Sequence, residues 1–350
     1  MVYDYSINLS SFGRHNHNPE TLMKFTAANA SVFFQGRPGD PRLGEVFKPV
    51  SPSDLTKAGS QTFIITGAPD DTGVIANRGR AGAKGGPDGI RAALYKFAVP
   101  GHPGFAKAAF IDGGNVVVSD QITTTHERAF ELSKLAAATG ATLITFGGGH
   151  DFAAPHILGG FAGLPATSKG KQTYGVINID PHLDVRELEN GKPHSGTPFR
   201  QIAESGKVNP AHIVQFGARV GRNAASHFDY CRHKKIKVHE FGAIKSKGDV
   251  ARQFKSTLTA LTRSCTQVAV TIDMDCCSDV EGVSAAPVIG FTAWELCQIA
   301  AIAGASPRVR ILDLAEVAPD LDPSGRTCRI AAEIVFHFIM GRLSAKTRSK

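Results

Sequence analysis

Short, continuous apolar runs recur along the chain, each followed by a stretch of helical period. They lie at Phe63–Thr66, Ala109–Ile111, Leu143–Phe146, Val176–Ile179, Ile213–Phe216, Lys237–His239, Val268–Ile272 and Val309–Leu314. A strand apolar on both faces is one covered on both faces. Such strands alternating with helices predict βαβ units and a mostly parallel sheet. No internal repeat and no long linker interrupts the rhythm, which predicts one α/β domain over residues 59–345. Residues 1–58 are irregular and rich in Asn, Pro, Gly and Ser. They read as an N-terminal arm or extension with one helix around Pro19–Ala28. The final SAKTRSK reads as a frayed tail.

Composition fits one large domain: 350 residues, 42% of them hydrophobic, fill a sizeable core near the upper end of a single α/β unit. The net charge of +8 raises the possibility of a nucleic-acid partner. The basic residues are spread along the chain and balanced locally by acids, and no aromatic–basic array accompanies them. The densest cluster, Arg232, Lys234, Lys235 and Lys237, reads as a solvated face, so no nucleic acid is expected. No run of about 18 apolar residues exists, so no membrane span is expected. The start, MVYDYSINLSS, lacks the basic and apolar regions of a signal peptide. Six cysteines without a CxxC pair read as reduced thiols of a cytoplasmic protein.

Ligands of open parallel sheets sit beyond the carboxyl ends of the strands. The segments there are GGGHD (147–151), DPHLD (180–184), GARVGR (217–222), DMDCCSD (273–279) and EVAPD (316–320). Acids repeated around one crevice are costly unless a cation neutralises them. Asp180, His182 and Asp184 alternate, as do Asp273 and Asp275; on extended backbone, residues two apart point the same way. His150 follows three glycines that let the chain turn tightly and expose its ring. Each piece alone has a bland reading, a chance spacing or a helix cap; together, each at a strand end, they predict metal ligation. Four carboxylates and two imidazoles without thiolate favour Mn²⁺ and are compatible with Fe, Co or Zn. Six ligands exceed the need of one ion that must also bind water, so two metal ions are expected. Cys276 and Cys277, beside these ligands, read as buried apolar thiols.

These segments resemble the ligand motifs G-G-x-H, D-x-H-x-D and D-x-D of the ureohydrolases, in the family's order, from about Gly67 to Gly341. The resemblance implies a single three-layer α/β/α domain with a mostly parallel, eight-stranded sheet, two Mn²⁺ ions and a homo-oligomer. It assigns His150 and Asp184 to one ion, His182 and Asp275 to the other, and Asp180 and Asp273 to both. Within the family, the stretch GAPDDTGVIANRGRAGAKGGPDGIR (67–91), with HLDVR (182–186), SGTPFRQ (195–201) and GVSAAP (282–287), is most similar to formimidoylglutamase. Arg186 stands where arginases carry an Asn, and Ser195 where arginases and agmatinases carry a catalytic His, with His194 one place earlier. Pro181 and Ser278-Asp279-Val280 are further departures.

The resemblance implies a small-molecule formimino substrate, N-formimino-L-glutamate, hydrolysed to L-glutamate and formamide. Asp184 is then the proton shuttle, Glu316 the group holding the amidinium-like nitrogens, and His194 a second acid/base or substrate contact. Glutamate's carboxylates suit planar Arg forks: Arg186 first, then Arg200 and Arg219, with Arg80 tying loops together. Ser195, Gly196 and Thr197 supply hydroxyl and backbone donors. The competing expectations are a hydrolase of a guanidino compound, and a catalytically degenerate ureohydrolase fold with a binding role.

Overall fold

The computed structural model describes residues 24–166 and 172–347. Among these, ten strands form one sheet: β1 (Phe25–Thr26), β2 (Lys48–Pro49), β3 (Thr62–Gly67), β4 (Ala109–Val116), β5 (Thr142–Phe146), β6 (Tyr174–Ile179), β7 (Ile213–Ala218), β8 (Lys237–Glu240), β9 (Gln267–Asp273) and β10 (Val309–Ala315). Their order is β1-β4-β3-β5-β10-β9-β6-β7-β8, with β2 beside β4. All pairings are parallel except β1 with β4. The eight expected runs are β3 to β10, so the sheet is mostly parallel as predicted and two short strands larger.

Side chains alternate between two cores. Phe63, Ile65, Ile144, Ile177, Ile179, Val214 and Phe216 face one; Ile64, Leu143, Val176, Ile213, Ala269 and Ile311 face the other. Helices Gly86–Leu94, Val250–Ser264, Ala293–Ala305 and Arg326–Thr347 cover the first face, and Ile122–Ala137, Ala153–Gly163 and Pro198–Glu204 the second. Sequence patterning explains the docking. In Val250–Ser264 the buried residues are Val250, Phe254, Leu258 and Leu261, one stripe of a 3.6-residue period. Each such side chain contributes roughly 1.5–3 kcal/mol when buried. Asp249 caps that helix at the Arg252 N–H, and Thr292 with Glu295 forms a capping box on Ala293–Ala305.

The arm differs from its expectation. Phe25–Thr26 is a strand, not part of a helix; Phe25 pairs antiparallel with Val116 on the sheet edge and is buried there. Residues 19–23 lie outside the described residues. Leu43, Phe47 and Leu55 are buried too, so the described part of the arm packs into the body. The weak run at Ala109–Ile111 is the start of an eight-residue strand. Gly114, at φ +76°, lies where the register between β3 and β4 shifts, a kink only glycine adopts readily. At the other end, helix Arg326–Thr347 continues into the segment expected to fray.

Candidate metal centre

Four adjacent strands, β5, β10, β9 and β6, run parallel and end at one rim of the sheet. The chain leaving them carries His150, Glu316, Asp273 with Asp275, and Asp180 with His182 and Asp184, respectively. A single turn after each strand therefore suffices to bring these seven side chains together.

The alternating spacing works by a device other than extended backbone. β6 ends at Ile179 and β9 at Asp273, and the chain turns directly afterwards. Asp180 Oδ1 accepts the His182 N–H at 2.7 Å, and Asp273 Oδ1 accepts the Asp275 N–H at 2.7 Å. Each aspartate folds its own chain into an Asx turn that returns the residue two places on to the crevice. The other oxygens, Asp180 Oδ2 and Asp273 Oδ2, each lie 3.1 Å from His150 Nδ1, and Asp184 Oδ2 lies 2.9 Å away. The glycines before His150 serve a close approach: a Cβ on Gly148 would sit 1.9 Å from the Asp70 carbonyl oxygen. The His150 ring is fully buried rather than exposed, packed edge-on against Phe199.

One potential ligand atom from each of His150, Asp180, Asp184 and Asp273 falls within 4.8 Å of the others. Beside this group, His182 Nδ1 lies 3.4 Å from Asp180 Oδ1 and 3.9 Å from Asp275 Oδ2. Asp180 thus faces one imidazole with each oxygen and joins the two groups. Asp184 and Glu316 hold φ values of +49° and +67°, conformations costly for residues with a Cβ. Glu316 Oε1 accepts the His150 N–H at 2.8 Å, the Ser284 side chain lies beside the carboxylate, and Oε2 has no hydrogen-bond partner among the described residues.

Charge is out of balance: five carboxylates surround two imidazoles. Burial, then the neighbouring Asp180, pushes Asp184 up to about 6. Burial and the charges of Asp275 and Asp180 hold Asp273 well above the carboxylate range. Burial, Asp273 and Asp275 do the same to Glu316. Asp180 stays low, because hydrogen bonds from both imidazoles outweigh its burial. His182 rises to about 10 against its burial, through Asp180, Asp184 and Asp275. A crevice that draws in protons this strongly suits a multivalent cation, and its oxygen and nitrogen donors suit a hard to borderline divalent metal. Cys276 and Cys277 are buried, and burial pushes both thiols up, the Cys277 thiol to about 12.

Above these groups opens a cavity of about 490 Å³, with His182, Asp184, Asp273, Asp275 and Glu316 on its floor. Its rim carries Asn77, Arg78, Arg186, Ser195, Arg222 and His227. Arg78, Arg186 and Arg222 are exposed and none forms an ion pair among the described residues. Arg78 also has a positive φ of +62°. Of the candidates read from sequence, Arg186 and Ser195 line this cavity. Ser195 Oγ accepts from Asn77 Nδ2 at 3.0 Å, and Gly196 packs against the Arg186 side chain. Thr197 is turned to its own loop, bonding the His194 carbonyl.

Three candidates lie elsewhere. Arg200 stacks on Tyr230 at 4.1 Å and bonds the Val185 and Arg186 carbonyls, facing Glu187 and Glu204. Arg219 donates to the Ile289 carbonyl. His194 is buried, with Nδ1 accepting the Gly196 N–H and Nε2 at the Glu187 carbonyl, so it braces the loop. Arg80 ties loops, as expected, through the Val283 and Ser284 carbonyls. Arg78 and Arg222 were present in the sequence inside the NRGR and GARVGR segments; only the fold shows that they converge.

A parallel α/β sheet with an oxygen–nitrogen donor crevice at its central strand ends defines a class of metal-site α/β proteins. The chain belongs to the Arginase family, whose model matches residues 61–341. It is 32% identical over 310 residues to a formimidoylglutamase of Staphylococcus aureus, covering 86% of this chain and 94% of that one. It is 29% identical over 327 residues to a formimidoylglutamase of Legionella pneumophila, covering 90% and 97%. Its structure is similar to that of Trypanosoma cruzi formiminoglutamase with Mn²⁺, with a TM-score of 0.76 and 28% identity over 87% of this chain and 99% of that one.

Proposed function

We propose that this chain hydrolyses the C–N bond of a linear amidine bearing two carboxylates, N-formimino-L-glutamate, giving L-glutamate and formamide. The observation that carries the reading is the cavity itself: a floor of crowded carboxylates beneath a rim of arginines that form no ion pair among the described residues. Similarity to formimidoylglutamases along most of the chain supports it. His150, Asp180, His182, Asp184, Asp273 and Asp275 would hold two divalent ions, manganese by donor type and by likeness to the Mn²⁺-containing relative. Bound divalent ions supply acidified water near neutral pH and neutralise developing negative charge.

The chain's own residues do the rest. Glu316, anchored through Oε1, keeps Oε2 free to grip the formimino nitrogens by charge-assisted hydrogen bonds. Its bond to the His150 N–H holds the carboxylate in place before substrate arrives. Asp184, engaged with His150 through Oδ2, keeps Oδ1 to carry the proton that the leaving nitrogen of glutamate requires. Arg78, Arg186 and Arg222 bind the two carboxylates and set the amidine end over the floor. Water adds to the formimino carbon, the bond to the glutamate nitrogen breaks, and that nitrogen leaves protonated.

The test is a substrate panel. The protein is preincubated with Mn²⁺ and offered N-formimino-L-glutamate, arginine, agmatine and guanidinobutyrate, with formamide and urea measured. Formamide from the first compound alone is expected. Urea from a guanidino compound, with no formamide, would replace this reading with a guanidino hydrolase.

A further inference from the structure

One row of residues crosses the sheet one to three positions before the strand ends. Cα pairing aligns Thr66, Thr145, Asp313, Thr271, Asn178 and Gln215 on β3, β5, β10, β9, β6 and β7. All six are polar and buried, in strands otherwise apolar at their centres. Buried polar groups in a sheet core cost stability unless they are bonded, so the bonds of a continuous row carry its meaning.

Those bonds lead to the crevice. Asp313 Oδ1 accepts from Thr145 Oγ1 at 2.7 Å and faces His156 Nδ1 at 2.8 Å, while Asp313 Oδ2 accepts from Thr271 Oγ1 at 2.8 Å. Thr271 Oγ1 also lies 3.2 Å from His150 Nε2. An ionised carboxylate only accepts, so the Thr271 hydrogen points to Asp313 and its lone pair is left for His150. His150 must then carry a hydrogen on Nε2 in every state, so the neutral ring has its lone pair on Nδ1, the nitrogen that faces Asp180, Asp184 and Asp273. In the same row, Asn178 Nδ2 bonds Asp180 Oδ2 at 3.2 Å and Gln215 Oε1 at 2.8 Å.

We propose that Thr271 and Asp313 are positioning residues: through the chain Asp313–Thr271–His150 they fix the tautomer and orientation of His150, so that its Nδ1 lone pair is presented to the metal. The inference rests on the proposed metal site. Partners behind a ligating imidazole of this kind are ones whose loss weakens metal binding while leaving the ligands in place.

The test measures Mn²⁺ affinity by titration with electron paramagnetic resonance, alongside thermal melts of the metal-free protein. Thr271→Val, which keeps shape and removes the hydroxyl, should bind Mn²⁺ about 10- to 100-fold more weakly. Thr271→Ser, which keeps the hydroxyl, should bind like wild type. If the valine variant does not fold, Thr271→Ala against Thr271→Ser makes the same comparison. Wild-type affinity without the hydroxyl, or a Thr271→Ser as weak as Thr271→Val, would overturn the tautomer role while the metal site stands. No Mn²⁺ binding by wild type itself would overturn both readings.

Discussion

Beneath helix Gly86–Leu94, Arg91 is fully buried, and its guanidinium bonds both oxygens of Asp112, Asn115 Oδ1 and the Gly114 and Pro87 carbonyls. Tyr95 donates to the same Asp112. The cation pairs with Asp112 at 2.8 Å and with Asp88 at 3.9 Å, and every guanidinium donor has an acceptor. At the ends of β5, β10, β9 and β6 the opposite holds: five carboxylates share two imidazoles, Glu316 keeps an oxygen without a partner, and the group opens on a cavity. Both clusters are buried and charged. The first is complete within the chain and so is structural. Among the described residues the second is left incomplete, as the proposed metal site requires.

Substitutions that exchange these behaviours test the contrast. The largest effect is expected from Asp180→Asn or Asp273→Asn, which should abolish both activity and retention of metal after dialysis, read by elemental analysis. Folding should survive, because a crowded charge has been removed. Arg91→Met should do the reverse. It strands Asp112 and should cost about 3–5 kcal/mol in urea unfolding, with unchanged metal content per folded molecule. Next, Glu316→Gln should lower kcat by roughly 10²- to 10³-fold, the size of losing one preorganised electrostatic contact, with metal retained. Equal kcat would remove Glu316 from the chemistry.

The smallest effects separate two kinds of arginine. Arg78→Ala and Arg186→Ala should each raise KM by roughly 10- to 100-fold, for a lost charged hydrogen bond of about 1.5–3 kcal/mol, with kcat little changed. Arg200→Ala should leave KM alone and cost about 1 kcal/mol of stability, since its contacts are a stacked tyrosine, two backbone carbonyls and partly exposed ion pairs. A raised KM for Arg200→Ala with a normal one for Arg78→Ala would reverse the assignment.

Much of the fold was legible in the sequence because parallel strands write themselves as apolar runs, and the residues just past each run must lie at the rim of the sheet. The runs gave β3 to β10, and the acids and histidines after them gave the crevice. β1 and β2 left no signal because two residues make no run, and β4 was underestimated because Gly113 and Gly114 interrupt its apolar pattern. Arg200 and Arg219 ranked after Arg186 as forks for the carboxylates, yet their side chains turn to Tyr230 and to the Ile289 carbonyl. Arg78 comes from the loop after β3 and Arg222 from the same GARVGR segment as Arg219, and their convergence with Arg186 exists only in three dimensions. The row from Thr145 to Gln215 was visible as single polar residues inside apolar strands, yet its meaning depends on register, which no single strand reveals.

The central claim is that the uncompensated crevice is a binding site for two divalent ions. The most direct measurement is equilibrium titration of the dialysed protein with Mn²⁺, alongside Asp180→Asn. Two ions bound per wild-type chain, and loss of binding in the variant, is the predicted result. No saturable binding by the wild type, or binding that Asp180→Asn leaves untouched, would contradict it.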